Sequence, residues 1–305
     1  MLTFDSLAKQ LSHFRNFTGL TPTEAEELAA LLRPDWEQCR LAKVKIDRRR
    51  KVGGGRKLEL PEFKDRLLVF LIYAKLYPTY IFLEYLFGID HATVGRIIQE
   101  LEPILAATII INRHHKRIRN LDDLREAIPN LDEVIIDATE QRVARPTKKR
   151  ARKQHHSGKK KNFTIKTQIM ATKQKVILHA SDSLPGRTHD YKYFRQTDVP
   201  DWLEANPQIK ARVDLGYLGA NRDYPKANII LPVKRTRAKK ELTRSEKIHN
   251  TKKAKARIVV ENTIANLKKF KLLADTYRNA KGRYSGLFKA VVFLSNFRTL
   301  ARMPA

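Results

Sequence analysis

Apolar residues recur at helical spacing through the first hundred positions and give way after Leu131 to short β-branched runs. Thr21-Pro22-Thr23-Glu24 offers an N-cap threonine, proline at N1 and glutamate at N3 ahead of an Ala- and Leu-rich stretch. That combination predicts a helix from Pro22 to about Arg33. A long apolar helix is expected over Phe63 to Tyr77, a second over Thr79 to Leu86, and a turn at Phe87-Gly88-Ile89-Asp90. A third helix, His91 to about Glu102, would bury Val94, Ile97, Ile98 and Leu101, with Pro103 ending or kinking it. Two helices joined by a short Gly-containing turn, the second N-capped by Asp90, fit a helix-turn-helix. The same spacing also fits a plain helical bundle, because the last helix carries only Arg96 as a base on its exposed face, beside Glu100 and Glu102.

Past a basic connector, Asn112 to Asn120, the strand-like runs are Val134 to Asp137, Phe163 to Ala171, Lys175 to Ala180, Arg212 to Asp214 and Asn228 to Val233. Helical segments are expected at Asp190 to Arg195, Arg257 to Leu272 and Ser285 to Leu300. The fold class is therefore α/β, a mixed sheet flanked by helices and preceded by an all-α region. Three parts are expected: N-terminal helices and a basic Gly-rich arm over 1–58, the helix-turn-helix and connector over 59–120, and the sheet domain over 121–305.

Composition adds a partner. Hydrophobic residues make up 42% of the chain, enough for a sizeable core, but 61 Lys and Arg against 32 acids leave a net charge of +29. Such self-repulsion is tolerated most naturally beside a polyanion, so nucleic acid is the first partner to consider. An anionic membrane is disfavoured, since no apolar run approaches the roughly 18 residues of a spanning helix and the N-terminus starts no signal peptide. The reading is an intracellular protein. Cys39 is the only cysteine, which excludes a disulfide framework or a multi-cysteine zinc site and leaves a buried or incidental thiol. Two basic stretches interrupt the sheet pattern. Arg142 to Lys161 holds ten Lys or Arg and no acid, including Lys159, Lys160 and Lys161, and reads as a loop on the DNA backbone. Lys234 to Arg257 holds eleven bases and leads into the helix bearing Glu261. Lys43 to Lys57 wraps basic residues around three glycines and reads as a mobile or extended arm.

Asp137 closes an apolar strand and Asp214 a second short strand, so the acids are expected at the C-terminal edge of the sheet, where open α/β sheets place ligands. Parallel neighbours about 4.8 Å apart would bring the two together. Carboxylates that close repel unless a proton or a cation separates them, and in so basic a chain Mg²⁺ or Mn²⁺ fits an all-oxygen site. Glu261 shares a helical edge with Arg257 and Lys268, beside an apolar stripe of Val260, Ile264 and Leu267. A surface i, i+4 pair of Arg257 with Glu261 is the plainer explanation of that edge.

Together, Ile136-Asp137-Ala138-Thr139-Glu140-Gln141, His156 to Lys161 leading into Thr164 to Gln168, Asp214-Leu-Gly-Tyr-Leu-Gly219 and Arg257 to Lys268 resemble bacterial insertion-sequence transposases of the DDE type. The resemblance is closest to the insertion-sequence-five group, related to Harbinger elements, and covers about Leu131 to Ala301. It implies a ribonuclease-H-like fold and assigns Asp137, Asp214 and Glu261 as catalytic metal ligands. It further implies that Asp137 bridges two Mg²⁺ ions roughly 4 Å apart while Asp214 and Glu261 each complete one site. Arg257 and Lys268 match the group's basic residues around the glutamate, whereas Ala254 stands where a tyrosine is frequent. The implied activity is cleavage at terminal inverted repeats and joining of 3′-hydroxyl ends to target DNA, by a homodimer or larger assembly. A catalytically silent DNA-binding regulator and a nuclease without strand transfer are the alternatives. His189-Asp190 falls where related proteins often carry such a pair, although Asp190 equally suits a helix N-cap. Glu140, three residues past Asp137, should face the other side of a continuing strand and is not counted as a ligand.

Overall fold

The structure is a computed structural model that describes residues 1–42, 57–108, 110–111, 117–118, 130–233, 241 and 243–302; the side chains of 110, 111, 117, 118, 246, 247, 249, 250 and 252–257 are outside that description. The basic arm of Lys43 to Lys57 except Lys57 itself, most of the connector and the start of the second basic stretch lie outside it. The described chain divides into two compact units, 1–107 with 269–274, and 108–268 with 275–305. The N-terminal helices and the helix-turn-helix thus share one unit, and the boundary expected at residue 58 falls inside it.

Six helices open the first unit: α1 (Phe4–Ala8), α2 (Leu11–Thr18), α3 (Pro22–Ala42), α4 (Phe63–Leu76), α5 (Tyr80–Phe87) and α6 (His91–Ala106). The capping box at the start of α3 is present, with Thr21 N donating to Glu24 Oε2 at 2.8 Å and Glu24 N to Thr21 Oγ1 at 3.2 Å. The helix runs nine residues past Arg33, straight through Pro34. Tertiary contacts outweigh the proline there: Trp36 lies 5.1 Å from the Phe63 ring and donates Nε1 to Glu100 Oε1 at 2.9 Å. Helix α6 likewise continues through Pro103 to Ala106, with Ile104 and Leu105 buried. Cys39 is exposed, not buried.

Strands β1 (Ile110–Ile111) and β2 (Arg117–Ile118) pair at the start of the second unit. Its main sheet comprises β3 (Glu133–Arg142), β4 (His156–Ser157), β5 (Asn162–Ala171), β6 (Ile177–Ala180), β7 (Leu184–Pro185), β8 (Lys210–Arg212) and β9 (Ile229–Ile230). The order is β4-β5-β3-β8-β9, with β6 and β7 also on β5. β3 pairs antiparallel with β5 and parallel with β8. This is the ribonuclease-H-like mixed sheet, flanked by helices. Alternation along β3 assigns its two faces. Val134 and Ile136 join Met170, Phe194, Trp202, Leu203 and Tyr217 in one core. That side carries α8 (Asp190–Phe194), α9 (Val199–Ala205) and α10 (Ala220–Asp223). Residues of the opposite parity, Ile135 and Asp137 among them, face the side of α11 (Arg244–Leu267) and α13 (Tyr284–Ala301), where α11 lies against both β3 and α13. The short α12 (Lys271–Ala274) belongs to the first unit.

The basic run from Arg142 to Lys161 is not a plain loop. Lys149–His155 forms a helix, α7, with Lys149, Arg150 and Lys153 exposed. Lys, Arg, Ala and Gln are all good helix formers, which the charge count alone conceals.

Candidate active site and nucleic-acid interface

Asp137 does not end its strand, as the sequence suggested; it is the fifth of ten residues in β3. β3 keeps going because β5 pairs with it as far as Arg142. What stops near Asp137 is the other neighbour, since β8 pairs Lys210, Ala211 and Arg212 with Glu133, Val134 and Ile135 and then ends. Carried two residues further along both chains, that register leads from Ile135 and Arg212 to Asp137 and Asp214, whose charges both act on the Tyr217 phenol. β8 thus leaves β3 at this point, and the opening exposes both acids in part. Asp214 is held as the N-cap of the 3₁₀ turn Leu215–Tyr217, its Oδ1 accepting from Gly216 N at 2.7 Å. Asp137 Oδ1 accepts from Ala138 N at 2.8 Å.

The wall of the opening contains Tyr217, fully buried, which sequence reasoning passed over. Burial first, and then the charges of Asp137, Asp190 and Asp214, push its phenol well above the usual range, so it keeps its proton. Gln168 Nε2 is 3.4 Å from the phenol oxygen. Lys166, on the Glu140 face of β5, donates to Asp190 Oδ1 at 2.6 Å and to Thr188 O at 2.7 Å, and lies 3.6 Å from Glu140 Oε1. Glu140 also accepts from Thr164 Oγ1 at 2.8 Å, and the register places it on the face opposite Asp137, as its spacing implied. Asp190 is not the N-cap of α8; His189 holds that position and Asp190 is the first helical residue. A lysine inside a β-branched strand that has no other charged residue was the available signal for this cluster.

Glu261 is exposed on α11. The backbone of Arg257 is in the same helix, while its side chain lies outside the described residues. Lys268 follows the end of α11 and is half-buried; burial, then Lys160, lower its pKa, while Glu140 raises it. Among the described residues, the one group of three acids or histidines whose ligand atoms all lie within 4.8 Å is Glu84, Asp90 and His91, in the first unit. Asp137, Asp214 and Glu261 are therefore more widely spaced than a closed ligand shell. The chemistry of the opening still fits a hard divalent cation: its donors are carboxylate oxygens, and Gln168 Oε1, buried beside Tyr217, has no hydrogen-bond partner among the described residues.

In the first unit, α5 ends at Gly88, whose φ of 63° turns the chain, and Asp90 caps α6 by accepting from Ala92 N at 2.8 Å. Val94, Ile97, Ile98 and Leu101 are all fully buried, as their spacing predicts. The exposed face of α6 presents His91, Ala92, Arg96 and Gln99. Glu100 is not beside Arg96 on that face. It pairs with the buried Arg66 of α4, which removes one acid from the surface a DNA backbone would meet. In the second unit Lys159, Lys160 and Lys161 are exposed in the turn between β4 and β5, and Lys160 lies near Lys268.

The profile of the helix-turn-helix of DDE superfamily endonucleases matches residues 59–109, the span of α4 to α6. A transposase for insertion sequence element IS702 of Microchaete diplosiphon is 28% identical over 241 residues, 79% of this chain and 82% of that protein. A transposase for insertion sequence element IS112 of Streptomyces albus G is 23% identical over 297 residues, 96% of each chain. No solved structure matches the chain. The profile of DDE superfamily endonucleases matches residues 136–296, from the strand of Asp137 to the last long helix, and the chain belongs to that family.

Proposed function

We propose that this protein is the transposase of an insertion element, binding its terminal inverted repeats, cleaving the ends and joining the 3′-hydroxyl groups to target DNA. The observation that carries the reading is the pairing of β3 with β8, whose register ends at Ile135 and Arg212, two residues short of Asp137 and Asp214 on the two strands. Enzymes of the DDE superfamily use divalent metals, and Asp137, Asp214 and Glu261 are the residues proposed to hold two Mg²⁺ or Mn²⁺ ions. When bound, such ions lower the pKa of an attacking water and offset charge developing on the phosphate. The chain's own residues supply the rest. Asp214 is oriented by the Gly216 amide, and Tyr217 keeps a protonated hydroxyl in the wall of the site. Arg257 and Lys268 are proposed to hold phosphate oxygens beside the scissile bond, and Lys159, Lys160 and Lys161 the flanking backbone. Arg96, at the exposed face of α6, is proposed to contact base edges or phosphates in the major groove. Acting on two ends favours at least a dimer on DNA.

Purified protein with Mg²⁺ and a duplex carrying the element's terminal repeat is expected to nick that strand end and to join it to a plasmid target. Asp137→Asn should abolish nicking and leave duplex binding intact. Nicking by that variant at the wild-type rate would remove the assignment, and nicking without joining by the wild type would reduce the activity to a nuclease.

A further inference from the structure

We propose that Asp190, fixed by Lys166, stands beside Asp214 as a further cation-binding carboxylate of this site. The inference rests on the reading of Asp137 and Asp214 as metal ligands and extends it to a residue on a different element.

Three observations converge on Asp190. First, its carboxylate makes no cap bond at the start of its helix, because His189 occupies the N-cap and α8 shows no side-chain cap bond there. Instead Oδ1 accepts from Lys166 Nζ at 2.6 Å, and the same ammonium donates to Thr188 O at 2.7 Å, two residues earlier in the chain. Lys166 is 7% exposed, so the loop from Thr188 to Asp190 is bound to the sheet by a buried cation. Charge-assisted bonds of this kind fix position as well as add energy.

Second, the other oxygen and Asp214 Oδ1, which accepts from Gly216 N at 2.7 Å, both lie against Gly216. A Cβ built on Gly216 would lie 2.8 Å from Asp214 Oδ1 and 3.0 Å from Asp190 Oδ2. The two carboxylates therefore border one gap about the size of a methyl group, kept open by a glycine. With its ammonium turned to Oδ1, Lys166 leaves Oδ2 facing that gap, where a second carboxylate is repelled unless a cation is shared.

Third, the surroundings favour a cation over a proton bridge or an anion. Asp137, Asp190 and Asp214 all act on the buried phenol of Tyr217, and Gln168 beside it keeps an acceptor oxygen, Oε1, without a hydrogen-bond partner among the described residues. An all-oxygen set of carboxylates and one amide suits Mg²⁺ or Mn²⁺. Parity along β3 and β5 places Lys166 on the face opposite Asp137, so Asp190 reaches the opening from the other side of the sheet.

The test measures Mn²⁺ binding to the full-length protein without DNA, by the electron paramagnetic resonance signal of free Mn²⁺. Asp190→Asn keeps an oxygen for Lys166 but loses the charge, and is expected to weaken Mn²⁺ binding about tenfold per folded molecule; its metal-free melting temperature should fall, because the buried Lys166 keeps only Glu140 as an acid partner. Gly216→Ala, which drives a methyl group between the two acids, should weaken binding similarly with both acids present. Asp201→Asn, exposed on α9, serves as the control and should bind as wild type does. Mn²⁺ affinity unchanged in both Asp190→Asn and Gly216→Ala overturns the inference. If Asp137→Asn alone abolishes binding in that case, the wider reading of the site survives; if the wild type binds no Mn²⁺, both fall.

Discussion

His179 of β6 shows how one side chain sets a pH dependence. Its Nε2 lies 3.2 Å from Ser181 Oγ and 3.5 Å from Asp198 Oδ1, and Asp182 and Lys289 are the other charges acting on it. Burial dominates and lowers its pKa from 6.5, against the opposing pull of Asp198. With the folded value below the unfolded one, the unfolded chain takes up the proton first as pH falls. Stability from the neutral ring is complete above 6.5 and is lost as pH drops below it. His179→Gln should therefore show a smaller fall in melting temperature between neutral pH and pH near 5 than the wild type; an equal fall in both would show that His179 does not set this dependence. Residue-scale chemistry was only partly legible beforehand. Asp137 stood out because it follows an apolar run and Asp214 because it ends a short strand, whereas Lys166, Asp190 and Tyr217 acquire their meaning from neighbours as far as 80 positions away.

At the scale of elements, the helix-turn-helix is anchored by an ion pair its own sequence does not reveal. Arg66 of α4 is 5% exposed, donates to Glu100 of α6 and to Leu60 O, and shares Glu100 with the Trp36 indole of α3. Removing one member of a buried pair leaves the other charge unpaired, at a cost of about 3 kcal/mol. Glu100→Ala should thus lower the unfolding free energy measured in urea markedly, whereas Glu37→Ala, whose pair with Arg33 is exposed, should lower it by less than about 1 kcal/mol. Similar losses in the two variants would contradict this account. Helix spacing did identify α4, α5 and α6 to within about a residue at most ends, because each buries an apolar stripe that its own period defines. It missed where α3 and α6 stop. There, packing of Trp36, Ile104 and Leu105 outweighs a proline.

For the whole molecule the dominant quantity is the net charge of +29, concentrated in segments such as α7 and the Lys159 to Lys161 turn. Each phosphate neutralised by a lysine releases condensed counterions, so duplex affinity should fall steeply with salt. Replacing Lys159, Lys160 and Lys161 with alanine should weaken binding to all sequences alike and flatten the slope of log affinity against log salt by roughly two to three units. An unchanged slope would place these lysines off the DNA path. The sequence by itself determined the polyanion partner, the helical start followed by an α/β sheet, and the acids to examine, because charge, period and apolar runs are local properties. Tertiary structure alone decided how those acids meet. Asp137 is reached because β8 ends beside it while its own strand runs on, and strand pairing joins residues 77 positions apart in a register no local pattern encodes. The same non-local pairing brings Lys166 to Asp190 and Gly216 between two carboxylates.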